Sequence, residues 1–228
     1  MFARSRVHWR HMYFRSRAEA GELLADQLIQ YRYEDCAVVA LSTNSVAVAE
    51  PIAARLHCIL GLFLSEQVKI PGEQITIGSV NQGGGFLYDQ SLSEEEANDY
   101  YSEYHAYIDD EKRSKFDHIN QLIGEGGVID PLLLREHIVI LVSDGLKTSA
   151  KLDAATQFLK STVMKRLIIV TPVASVNTVD HMHIIADELH CMNVTDNYIS
   201  TGHYYDTNDT LTHEQAIQKI NSIILNWR

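Results

Sequence analysis

The chain has 228 residues, 46% of them hydrophobic, with a formal net charge of −11. That length and apolar fraction suit one sizeable α/β domain and exclude a disordered chain. The acidic balance excludes a general binder of nucleic-acid backbone, so an anionic ligand needs a local device to hold it.

No apolar run approaches the length of a membrane span. The basic stretch MFARSRVHWRHMYFR lacks the apolar core of a secretory signal. Cys36, Cys58 and Cys191 are too scattered for a zinc site or a disulfide frame. The expectation is a cytoplasmic protein, with residues 1–12 as an N-terminal extension and 13–228 as a single domain.

Residues 16–30 read as an amphipathic helix, with Ala20, Leu23, Leu24, Leu28 and Tyr31 on one stripe. A buried strand over 37–41 and a polar loop, Ser42 to Ser45, pass directly into a helix over 46–56. Residues 58–64 form another apolar strand, and Pro71-Gly72 marks a turn. The alternation at Ile75, Ile77 and Ser79, followed by Phe86 to Tyr88, gives a hairpin through Gly83-Gly84-Gly85. With no helix behind them, these glycines suit a turn better than a phosphate cradle.

Ser93-x-x-Glu96 is a capping box that starts a long helix. Its stripe of Tyr100, Tyr101, Tyr104, Ile108, Phe116, Ile119 and Ile123 suits core or interface better than base stacking. Residues 166–171 form a buried strand ended by Pro172. A short helix to Ile185 follows, then a strand over 188–194. A last helix is capped by Thr212 with Gln215, and its face runs through Ala216, Ile217, Ile220, Ile224 and Trp227. Strands alternating with helices at this spacing give an α/β fold, a parallel doubly wound sheet flanked by helices, with a small β-hairpin insertion and a long helix.

The stretch that organises the chain is HIVILVSDGLKTSAKLDAAT, His137 to Thr156. Its apolar run is a strand buried on both faces. A short polar loop then leads into a helix whose first amides lack intrahelical partners and can hold an anion. Asp144 stands at the strand's carboxyl end, where open α/β sheets bind ligands. His181-x-His183 falls on a helix, where i and i+2 point to different sides, so no metal site is expected.

Six stretches in order resemble the type I phosphoribosyltransferases, and most closely the bacterial phosphoribosyltransferase-domain proteins of unassigned substrate. They are FRSRAEAGELLADQL (14–28), VALSTNSVAVAEPIAARL (39–56), IPGEQITIGSVNQGG (70–84), IVILVSDGLKTSAKLDAA (138–155), VTPVASVNTVD (170–180) and STGHYYD (200–206). The resemblance implies a loop for phosphoribosyl pyrophosphate made by Asp144, Gly145, Lys147, Thr148, Ser149, Ala150 and Lys151. Asp144 is its catalytic, ribose-holding acid. It places the pyrophosphate loop at Ser42, Thr43, Asn44 and Ser45.

The chain departs from that pattern. Ser143 replaces the first of the family's two acids, Ser149 its usual glycine, and Lys151 a small or hydroxylated residue. The pyrophosphate loop lacks the family's arginine and glycines, and Glu66-Gln67 stands where an Arg-Lys pair is usual. Each lost donor to a departing pyrophosphate costs roughly 3 kcal/mol of barrier. The reading is therefore an eroded site that binds a phosphorylated ribose or nucleotide with weak or no transfer. Mg²⁺ accompanying that ligand is the only cofactor expected. Neither nucleic acid nor membrane is an expected partner, and a homo-oligomer is. Two alternatives stand beside it. One is an active transferase using Lys147 or Lys151 for phosphate, and the other a structural or protein-interaction module.

Overall fold

In the computed structural model of the protein, residues 13–72 and 75–227 are described. The expected extension, residues 1–12, lies outside them.

Five strands make a parallel sheet: β1 (Cys36–Ala40), β2 (Ile59–Leu62), β6 (Ile138–Val142), β7 (Arg166–Ser175) and β8 (Glu188–Thr195), in the order β2-β1-β6-β7-β8. β1 and β6 are central, and their apolar runs are buried on both faces. One core layer, with Leu24, Val38, Ile52, Ile140 and Ile168, packs under α1 (Arg17–Gln27) and α2 (Val46–Leu56). The opposite layer, with Val39, Leu141, Leu152 and Ile169, packs under α4 (Ala150–Leu159) and α5 (Val176–Ile185). On α1, Leu23 is 43% exposed, and the buried stripe runs instead through Arg17, Ala20, Gly21 and Leu24.

The expected hairpin is the outer part of a three-stranded antiparallel sheet: β3 (Ser65–Lys69), β4 (Thr76–Asn81) and β5 (Phe86–Tyr88). Residues 82–85 turn the chain, with Asn81 Oδ1 accepting from the amides of Gly83 and Gly85. α3 (Glu94–Glu125) opens on the expected capping box and is kinked at Tyr104. It packs against β3 and β4, and α4 packs against β4 as well. Among its described residues only Ala97, Ile108 and Ile119 are buried. Tyr100, Tyr101 and Tyr104 are partly covered by the core.

β7 does not stop at Pro172. It pairs with β8 as far as Ser175↔Thr195, while its ladder with β6 ends at Val142↔Val170. Pro172 lies beyond that ladder, where β7 has a continuous strand partner on one side only and a missing N–H is tolerated. α6 (His213–Asn221) has the expected Thr212–Gln215 capping box but ends at Ser222. Ile224 is consequently exposed, and Trp227 stacks on His57 rather than continuing a helical face.

Candidate functional site

The loop after β6 takes its shape from the extended end of β7. Leu146 N–H donates to Val173 O at 2.9 Å, and Ser175 N–H to Leu146 O at 2.9 Å. The hydroxyls of Ser175 and Thr178, at the start of α5, both donate to Lys147 O, at 2.8 and 3.1 Å. The two backbone bonds to Leu146 need a strand that continues past Pro172. Ser143 closes the other end, its hydroxyl donating to Gly145 O and accepting from Gly145 N–H.

Asp144 points into the protein. One carboxylate oxygen accepts from Arg17 Nε at 2.9 Å, and the other from Ser45 Oγ at 3.0 Å and Ser42 Oγ at 3.5 Å. The guanidinium also donates to Asn208 Oδ1 and Asp209 O and lies over the Tyr205 ring. The Tyr205 hydroxyl donates to Asp144 O. The ion pair is almost entirely shielded, with side-chain exposures of 4% and 9%. Burial, with the Asp144 charge adding to it, holds the Tyr205 phenol well above its usual range.

The loop 42–45 is likewise turned on itself. Ser45 is fully buried. Its N–H donates to Ser42 Oγ, and the amides of Val46, Ala47 and Val48 donate to the carbonyls of Thr43, Asn44 and Ser45. Asn44 Oδ1 accepts from Leu211 N–H at 2.9 Å, tying the loop to the segment before α6. The amide donors at the start of α2 are thus engaged within the loop.

The start of α4 differs. Ser149 occupies the N-cap position without capping, because its hydroxyl donates to Asp153 at 2.7 Å instead. Asp153 also contacts His181 Nε2 at 2.6 Å, joining α4 to α5. The first amides of α4 have no acceptor within the helix by geometry, and no side chain at the N-cap replaces one. This end opens into a cleft of about 340 Å³ lined by Lys147, Thr148, Ser149, Asn177, Asp196 and Tyr198, among others. Tyr198 meets the loop closely: a Cβ on Gly145 would lie 2.4 Å from its hydroxyl oxygen. Burial pushes the Tyr198 phenol up to about 12.

A second cleft, of about 380 Å³, meets α4 at Lys151. Ser42, Thr43, Glu66, His118, Lys151 and His213 line it over a floor of Leu41, Phe63, Leu64, Ile119 and Leu122. The residues expected to form one phosphate cradle are therefore divided. Lys147, Thr148 and Ser149 line the first cleft and Lys151 the second, while Asp144, expected as the ribose-holding acid, is buried between the loops. Of the four expected pyrophosphate-loop residues, Ser42 and Thr43 line a cleft, and Ser45 and Asn44 serve the fold.

Arg17 escaped the sequence reading. Its signal is a cation three residues before Ala20 and seven before Leu24, on the buried stripe. Among the described residues no group of three or more His, Cys, Asp or Glu side chains is arranged to hold a metal. No described helix is long and apolar enough to cross a membrane.

No family model matches the chain. Among solved structures it is similar to the Thermus thermophilus protein TT1426, at 27% identity over 95% of this chain and 99% of that one, with a TM-score of 0.69. It is also similar to a purine phosphoribosyltransferase from Pyrococcus horikoshii, at 13% identity over 84% and 93% of the two chains, TM-score 0.46. A hypoxanthine phosphoribosyltransferase from Staphylococcus aureus matches at 15% identity over 78% and 72%, TM-score 0.41.

Proposed function

We propose that the protein has a phosphoribosyltransferase-like scaffold and binds a phosphorylated ribose or a nucleotide, with transferase activity weak or absent. The observation that carries the binding reading is the uncapped start of α4, opening into a cleft with Lys147 and Thr148 at the carboxyl edge of a parallel sheet. The positive end of the helix and one ammonium favour a phosphate there.

Two observations favour binding over transfer. Asp144, the acid a transferase would present to the ribose, is neutralised by Arg17. The amides of Ser45, Val46 and Ala47, which would stabilise a departing pyrophosphate, are engaged by their own loop. Asp196 is the one carboxylate lining this cleft, and among the described residues no group of three or more metal-ligating side chains accompanies it, so a Mg²⁺ held here would rely on the ligand's phosphates for most of its oxygens.

Calorimetric titration with ribose 5-phosphate, phosphoribosyl pyrophosphate and nucleoside monophosphates, with and without Mg²⁺, tests the reading. Saturable binding is expected, weakened roughly tenfold by Lys147→Gln through loss of a charged donor. Absence of saturable binding at millimolar ligand would overturn it. Rapid pyrophosphate release from phosphoribosyl pyrophosphate with any base would overturn the part about transfer.

A further inference from the structure

Four helices of the chain start in the same way. Ser16, Ser93, Ser175 and Thr212 stand before α1, α3, α5 and α6 with extended backbone, and each side chain accepts from an amide of its helix's first turn. Ser149 stands before α4 with helical backbone, φ −77° and ψ −11°, and caps nothing. Ser45 before α2 is alike, with its hydroxyl taken by Asp144, but there the loop's own carbonyls engage the freed amides. At α4 the hydroxyl is taken by Asp153, one turn along, whose N–H donates to Ser149 O at 2.9 Å. An acceptor four residues on is within reach when the serine is itself helical. A cap needs extended backbone, so the two bonds exclude each other. Asp153 is in turn fixed from α5. Its side chain is 11% exposed, and its second oxygen accepts from His181 Nε2 at 2.6 Å. Thr178 and His181, three residues apart, lie on one face of α5. α5 therefore grips the loop twice: at Lys147 O through Ser175 and Thr178, and at Ser149 through His181 and Asp153.

We infer that Asp153, braced by His181, is a positioning residue that holds the Ser149 hydroxyl off the first amides of α4 and so keeps them open for phosphate. Neither Asp153 nor His181 lines the first cleft, so both act through Ser149. The inference rests on the proposed phosphate site at the start of α4 and adds what keeps that site available. Without the carboxylate, Ser149 relaxes to the extended conformation of the four capping residues. Its hydroxyl then competes with the ligand for the amides of Lys151 and Leu152, the second and third positions of the helix. One such cap corresponds to about a fivefold change in an equilibrium.

The experiment is a double-mutant cycle on ribose 5-phosphate affinity, with the wild type, Ser149→Ala, Asp153→Ala and the double variant. Asp153→Ala also removes a negative charge from the first turn of α4, but that contribution is common to both backgrounds and cancels in the cycle. Removing the Ser149 hydroxyl is expected to tighten binding about fivefold more in the Asp153→Ala background than in the wild type. Equal effects in the two backgrounds, the result of a merely structural Asp153, overturn the inference, as does coupling of the opposite sign. Exchange of the Lys151 and Leu152 amides, followed by NMR without ligand, gives a readout independent of binding. It should slow in Asp153→Ala and not in the double variant, and an unchanged rate in Asp153→Ala overturns the inference as well. If ribose 5-phosphate binds none of the four proteins while exchange behaves as expected, the phosphate reading falls and the hold on Ser149 stands. If neither result appears, both fall. Near-ultraviolet circular dichroism checks folding. Should Asp153→Ala fail that check, His181→Ala, at a partly exposed side chain, takes its place in the cycle. Coupling of the same sign is expected there, and its absence overturns the inference.

Discussion

Two loops leave the carboxyl edge of this sheet side by side, and they treat their polar groups in opposite ways. The loop 42–45 after β1 spends the hydroxyls of Ser42 and Ser45, its amides and the Asn44 side chain on itself, on Asp144 and on Leu211. The loop after β6 does so only at its Asp144 end. From Lys147 onward it is held from behind, through a backbone carbonyl, and its side chains and the start of α4 face a cleft. The same small polar residue types occur in both loops. Ligand capacity depends on where the hydrogen bonds already go.

The strongest way to break this contrast is to remove the cation that closes the Asp144 end. Arg17→Ala leaves a buried carboxylate unpaired and should cost about 3–5 kcal/mol. Urea denaturation would measure it, and the double variant Arg17→Met with Asp144→Leu should recover most of the loss. A cost near zero would mean that Asp144 finds water or another partner, and that the closed end is not closed.

Gly145→Ala attacks the junction between the closed and open ends. Its Cβ would meet the Tyr198 hydroxyl oxygen and Thr201 Cγ2. Overpacking of this kind costs about 1–3 kcal/mol, and because Tyr198 lines the cleft, ligand affinity should fall with stability. Unchanged affinity in a destabilised variant would separate Tyr198 from the ligand.

Ser42→Ala sharpens the contrast from the other loop. It strips the Ser45 amide of its acceptor and should cost about 1 kcal/mol. Ribose 5-phosphate affinity should not move, whereas a large loss would return the loop to the phosphate site.

The smallest effect appears only in alkali. A tyrosine in the unfolded chain loses its proton near pH 10. Burial holds Tyr198 protonated up to about 12 and raises Tyr205 in the same sense. Between about pH 10 and 12 the unfolded state therefore binds fewer protons than the folded one, and stability falls as pH rises through that window. Urea midpoints measured across it should drop less steeply for Tyr198→Phe.

Much of the scaffold could be read because its signals are local. Continuous apolar runs such as Ile138–Val142 mark strands covered on both faces. Ser93–Glu96 and Thr212–Gln215 mark helix starts within four residues. The site was harder for the opposite reason. Whether Asp144 meets a ligand or a guanidinium depends on Arg17, 127 residues away. Whether Lys147 and Lys151 share one cradle depends on where two clefts run past one helical turn. Pro172 misled because its usual strand-ending effect disappears once the neighbour on one side has stopped. Composition and periodicity carry no trace of such partners, except the one charge lying on an apolar stripe.

That charge also bears on the order in which the chain can fold. Arg17 grips Asp144 with one nitrogen and Asn208 and Asp209 with another, across separations of 127, 191 and 192 residues. The backbone of Phe14 bonds to that of Tyr204 and Asp206 as well. Contacts so distant along the chain form late and slowly. During synthesis the Asp144 end of the β6–α4 loop lacks its Tyr205 contact, and Arg17 its Asn208 and Asp209 partners, until residues near 209 have left the ribosome. A chain truncated before Tyr205 would keep its central strands yet leave Asp144 and Arg17 without their C-terminal partners. The Asp144 end of the loop should therefore be set later in folding than the part from Lys147 onward, which β7 and the start of α5 already hold.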